Sequence, residues 1–178
     1  MSKDCQFRFA AFQDAAVVVD LVNDSYSGPD RDLGWTPETG IFDGPRTSLK
    51  EVRQAIARDD CRIILLEEAS VLLGCCQIER QDDLAYLGLF AVLPRAQAKG
   101  LGRAILAEAE VRAAQLWNCA GIWMTSISLQ SKLIAYYERR GYAQTGERLP
   151  FPEAEMSGAL RTDFDLVVLR KGLLWPDQ

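Results

Sequence analysis

From Pro94 to Leu106 the chain reads PRAQAKGLGRAIL, with Gly100 and Gly102 spaced as Gly-x-Gly among three bases, Arg95, Lys99 and Arg103. No acid occurs between Asp83 and Glu108, although the whole chain carries 25 acids against 20 bases. Solvated surfaces mix their charges. A one-signed window at a helix start suits an anion, because the first N–H groups have no acceptor within the helix and the dipole is positive there. Glycines let a ligand reach those amides. A diphosphate fits this pattern. The glycines alone also fit a tight strand-to-helix turn with incidental charges. A P-loop would need Gly-Lys-Ser/Thr after them, and a dinucleotide fingerprint would need a third glycine where Ile105 stands.

What is missing restricts the chemistry further. The chain has no histidine, which removes Ser-His and Cys-His nucleophilic pairs and the commonest metal ligand. Its five cysteines form no CxxC pair, so no zinc site is expected. Cys75 and Cys76 lie in an apolar run and read as reduced core thiols. Acid–base work falls to carboxylates, tyrosine, cysteine, lysine or water. The net charge of −5 argues against a broad nucleic-acid surface. No run of about 20 apolar residues spans a membrane, and no leader pattern opens the chain. The expectation is a cytoplasmic protein of one domain over residues 1–178.

These groups need elements to carry them. FRFA reads as a first strand, and a helix from Asp14, with Asp14 as N-cap, repeats Val18, Leu21, Val22 and Tyr26 at helical spacing. Residues 27–48 form a long Gly- and Pro-rich loop holding Trp35, Ile41 and Phe42. A short second helix follows, with Ser48 and Glu51 as a capping box. CRIILLEE, VLLGCCQIER and LAYLGLFAVL read as three strands. A long helix runs from Leu101 to about Trp117 with Leu101, Ile105, Ala109 and Leu116 on one stripe. GIWMTSIS is a strand, QSKLIAYYERR a helix stopped by Gly141, YAQTGER a strand and TDFDLVVLR the last strand. The order β-α-α-β-β-β-α-β-α-β-β gives a mixed α/β sheet rather than a doubly wound one.

On these residues the chain resembles the GNAT superfamily of N-acetyltransferases. Val92, Pro94, Gln97, Gly100 and Gly102 match its Val-x-Pro-x-x-(Gln/Arg)-x-x-Gly-x-(Gly/Ala) motif. LIAYYERRGY matches its tyrosine helix, with Tyr137 four residues before Gly141. The element order agrees from Phe7 to Arg170. The resemblance implies a GNAT-like fold and acetyl-CoA as donor, with no metal. It implies pantetheine pairing along Leu89, Phe90, Ala91 and Val92, where neighbouring strands splay. It implies diphosphate contacts from Gln97, Ala98, Lys99, Gly100, Leu101, Gly102 and Arg103. Tyr137 takes the place of the acid that protonates the leaving thiolate, Tyr136 that of a packing residue, and a backbone N–H near Phe90 or Ala91 that of the oxyanion donor.

The chain departs from the family in two places. Gln130 stands where many members have an asparagine that touches the cofactor. The strand from Leu84 to Leu93 has no carboxylate where some members place a glutamate base, so Glu79, or Glu38 through water, are the substitutes at hand. The acceptor site is expected from loops 27–48 and 150–161, with walls from Trp35, Phe42 and Phe151 and carboxylates at Asp30, Asp32, Glu38 and Asp43. Those acids also read as plain solvated loop charges. The partner is then an amine of a small molecule or peptide. No nucleic acid or membrane is involved, and a homodimer is allowed. The competing readings are a non-catalytic CoA-binding regulatory module on the same fold and a nucleotide-phosphate binder.

Overall fold

A computed structural model describes residues 5–28, 40–41, 43–151 and 159–173. In chain order the elements are β1 (Cys5–Phe9), α1 (Ala15–Ser27), α2 (Leu49–Ala57), β2 (Cys61–Glu68), β3 (Val71–Gln81), β4 (Leu84–Val92), α3 (Leu101–Trp117), β5 (Gly121–Ile127), α4 (Ser131–Glu138), β6 (Ala143–Leu149) and β7 (Leu166–Gly172). The strands form one sheet in the order β1-β2-β3-β4-β5-β7-β6. All described neighbours are antiparallel except β4 and β5, which are parallel. The mixed α/β fold and element order expected from the sequence are therefore observed.

Helices cover both faces, which explains the nearly unbroken apolar run of β2. On one face α1 and α2 pack Val18, Leu21, Val22 and Val52 against Ile63, Leu65 and Cys75. On the other, α3 and α4 pack Leu101, Ile105, Ala109, Ile134 and Tyr137 against Ile64, Ile78, Leu87 and Met124. Leu116 is not part of that stripe. It is 42% exposed, and Ala113 is the buried residue near the end of α3. No helix among the described residues is long and apolar enough to cross a membrane.

Local signals set most element ends. The Ser48 hydroxyl accepts from the Glu51 N–H while the Glu51 carboxylate accepts from the Ser48 N–H, so α2 starts on a complete capping box. Asp14 behaves differently from the expected N-cap. Its side chain makes no cap bond to α1. It closes a short 3₁₀ turn by accepting from the Ala11 N–H at 2.7 Å and from Arg8 at 2.6 Å. The Arg8 guanidinium holds the Asp14 carboxyl below its ordinary value. Gly141, at φ 88°, turns the chain out of α4.

Candidate active site

The β4–β5 ladder is short. Leu84, Ala85 and Tyr86 pair with Gly121, Ile122 and Trp123, and among the described residues no rung follows. Each strand keeps its other neighbour: β4 pairs with β3 up to Val92, and β5 with β7 up to Ile127. The sheet forks between two intact halves. Tyr86 and Trp123, with ring centroids 4.7 Å apart, sit at the last shared rung.

On the β4 arm, Cys75 pairs with Ala91 and Gln77 with Gly88, so one residue of β3 faces both Leu89 and Phe90. This is a β-bulge, and Leu89 takes a left-handed φ of 48°. The extra residue changes which side chains face which layer. Ala85 and Leu87 point to the α3 side, but beyond the bulge Phe90 and Val92 do so, while Leu89 and Ala91 face α1 and α2. A left-handed leucine is strained, and neighbouring groups hold it. The Tyr26 hydroxyl donates to the Phe90 carbonyl at 2.7 Å, and the Cys75 thiol to the Leu89 carbonyl at 3.5 Å.

Directly after β4 the chain turns through Pro94–Ala96 into α3. The Gln97 side-chain amide donates to the Val92 carbonyl at 3.0 Å and braces the loop. Ala98 at φ 64° and Gly100 at φ 78° are left-handed, whereas Gln97 before them is extended, and the free N–H groups of the first turn of α3 open onto this loop. Lys99, Gly100 and Arg103 are exposed around it, and the buried Leu101 anchors the helix start beneath. The two glycines differ in purpose. A Cβ at Gly100 would meet nothing, so its glycine is required by backbone conformation. A Cβ at Gly102 would lie 2.8 Å from the Tyr136 Oη, so a larger residue there would have to displace that phenol.

Gln130 lies on the β5 arm. It precedes α4, and its N–H donates to the Ile127 carbonyl at 2.9 Å. α4 then carries Tyr137 inward, to 5% exposure. The Tyr137 ring lies 6.3 Å from Phe90, 5.6 Å from Tyr136 and 6.0 Å from Tyr142. The structure thus brings Phe90, Tyr137 and, through Tyr136, Gly102 of the 97–103 loop together, with Gln130 at the start of the same helix α4.

The acceptor side is described only in part. Trp35, Glu38 and Phe42, with Asp30 and Asp32, lie outside the described residues. Phe151 stacks edge-on against Phe164 at 5.3 Å. The Leu160 N–H donates to the carbonyl of buried Ile41 at 2.8 Å, which joins the two loops expected to build this side. Asp43 is exposed. Glu79 is already engaged: Arg58 holds it at 3.0 Å and 3.1 Å. Burial pushes the Cys75 thiol up to about 12 and holds the Cys76 thiol well above its ordinary value, so neither is a nucleophile at neutral pH. No group of three His, Cys, Asp or Glu converges among the described residues to hold a metal.

Two residues were not singled out for the site in the sequence. Tyr26 reads there as one more apolar position of α1, whereas its hydroxyl holds the bulge. Tyr136 reads as packing, whereas its hydroxyl faces Gly102. A hydroxyl at the end of an amphipathic stripe is the one signal that marks both.

Residues 26–142 match the sequence profile of the acetyltransferase (GNAT) family. No curated protein matches the sequence. The fold is similar to that of the ribosomal-protein-S18-alanine N-acetyltransferase from Escherichia coli, at a TM-score of 0.71 and 17% identity, over 98% of this chain and 97% of that one. It is also similar to spermidine N-acetyltransferase from Vibrio cholerae, solved in complex with CoA and spermine, at a TM-score of 0.70 and 17% identity over 97% of each chain.

Proposed function

The chain belongs to the acetyltransferase (GNAT) family, and from that premise we propose that it transfers the acetyl group of acetyl-CoA directly to a primary amine of a small molecule or peptide. The observation that carries this reading is the fork: a bulged β4 edge without a β5 partner leads straight into the amide-lined, acid-free start of α3.

The residues suit the donor. The concave loop from Gln97 to Arg103 supplies amides and cations for a diphosphate. The β4 edge from Leu89 to Val92 supplies main-chain groups that pair with a pantetheine arm as a strand would, and Gln130 meets it from the opposite arm. Binding donor and amine side by side supplies proximity. In the reaction the amine nitrogen forms a bond to the thioester carbon, and the carbon–sulfur bond breaks. A bulge N–H near Phe90 stabilises the oxygen that gains charge. Tyr137 gives its phenolic proton to the departing sulfur and recovers a proton released by the amine, through water. Tyr26 and Cys75, by fixing the bulge carbonyls, keep the oxyanion donor in place. Glu79, which Arg58 holds, and Glu38 acting through water are the carboxylates proposed to accept the amine's proton.

The test is acceptor-dependent thiol release from acetyl-CoA across a panel of amines, run beside calorimetric CoA titrations. Turnover with any amine supports the enzyme reading. CoA binding with no turnover across a broad panel assigns a regulatory CoA-binding module instead. Gly100→Val keeps the core but cannot adopt the left-handed turn, and CoA affinity should fall beyond detection. Unchanged affinity overturns the diphosphate assignment.

A further inference from the structure

The proposed diphosphate cradle has a second wall on α4. The Tyr136 ring leans across to α3, where its hydroxyl occupies the space that a side chain at position 102 would need. The Arg140 guanidinium lies flat on that ring, 3.3 Å from its centroid. One Arg140 nitrogen, Nη1, donates to the Tyr136 carbonyl at 2.6 Å. Its Nε is buried and meets no acceptor. A buried guanidinium nitrogen without an acceptor is costly, and natural proteins rarely leave one.

The charges around this pair are one-sided. Arg103, on the first turn of α3, is close enough to Tyr136 to act on its ionisation, together with Arg140. Among the described residues neither Arg103 nor Arg140 pairs with a carboxylate. The nearest acid in sequence, Glu138, instead accepts from Gln144 at 2.8 Å. Two cations and a phenol held together over a glycine form a site for an anion with several oxygens.

We propose that Tyr136 and Arg140 bind the diphosphate of CoA, with the Tyr136 ring as the platform that aims the Arg140 guanidinium and its hydroxyl as a further donor. The assignment rests on the acetyl-CoA reading above. It makes Arg140 a diphosphate-binding residue on α4 that faces the α3 loop across the cofactor. The diphosphate is preferred to the ribose 3′-phosphate because Tyr136 reaches Gly102 itself.

The experiment titrates the intact chain with CoA, with dephospho-CoA and with pantetheine, by calorimetry. Arg140→Met keeps the apolar stem and removes the charge. It should weaken CoA and dephospho-CoA equally, by about tenfold, and leave pantetheine unchanged. Tyr136→Phe keeps the platform and should weaken both nucleotides about threefold; it serves as the variant that folds if Arg140→Met does not. Wild-type CoA affinity in both variants overturns the assignment while the enzyme reading stands. A loss confined to CoA and absent with dephospho-CoA also overturns it, since the contact is then to the 3′-phosphate. Failure of the wild-type chain to bind CoA at all overturns the enzyme reading together with it.

Discussion

The Tyr137 ring packs edge-on against Tyr136 and Tyr142 and tilted against Phe90, so aromatic contacts on three sides position it. Tyr137→Phe should leave those contacts intact and remove only the proton donor. We expect kcat to fall about 100-fold and CoA affinity to stay within about twofold. Steady-state kinetics with an active amine, beside a CoA titration, measures both, and a variant with wild-type kcat excludes the acid role. Adjacent tyrosines show how far residue types were readable in advance. Their identity and distance from Gly141 were plain in the chain. Their directions were not, because neighbouring positions on a helix diverge by about 100° and only packing chooses which one goes inward. The glycines were similar: two identical letters hide one need for a left-handed backbone and one for room beside a phenol.

Among the elements, the β2–β3 turn places Ala69 at φ 49° and Ser70 at φ 65°. Two left-handed residues make a tight turn that suits the twist of its strands but is normally built with Asn-Gly. Replacing Ala69–Ser70 with Asn-Gly should raise stability by about 1–2 kcal/mol, read from urea midpoints at unchanged slope. A lower midpoint would show that the turn's own side chains matter more than its backbone. Most element ends were legible, because Ser48, Glu51 and Gly141 act locally. The bulge was not. Leu89 is an ordinary apolar residue whose conformation comes from the pairing of Cys75 and Gln77, so nothing in LAYLGLFAVL announces it. Asp14 shows a similar limit: its carboxylate closes the turn before α1, at the Ala11 N–H, and is also held by Arg8 six residues away.

For the whole molecule, the fork raises the question of what joins its two halves. Part of the answer is Glu110 of α3, which accepts from Lys171 of β7 at 2.6 Å and from the buried Tyr142 hydroxyl at 3.0 Å. Glu110→Leu leaves that phenol buried without an acceptor, and burial has already raised Tyr142 far above its ordinary value. Calorimetric melting should fall by about 5 °C; an unchanged melt would remove this bridge from the stability of the fold. Element order was readable from the chain because it is written in local patterns. The fork was not, since a ladder that stops after Tyr86 depends on where two distant strands diverge. It has a consequence in the cell. On the donor reading proposed above, a chain without bound CoA keeps a gap in its own sheet, and CoA or acetyl-CoA at 100 times its dissociation constant would add about 2.7 kcal/mol against unfolding. Proteases sample the opened form, so the abundance of this protein would then follow the total supply of CoA species even when no acceptor is present.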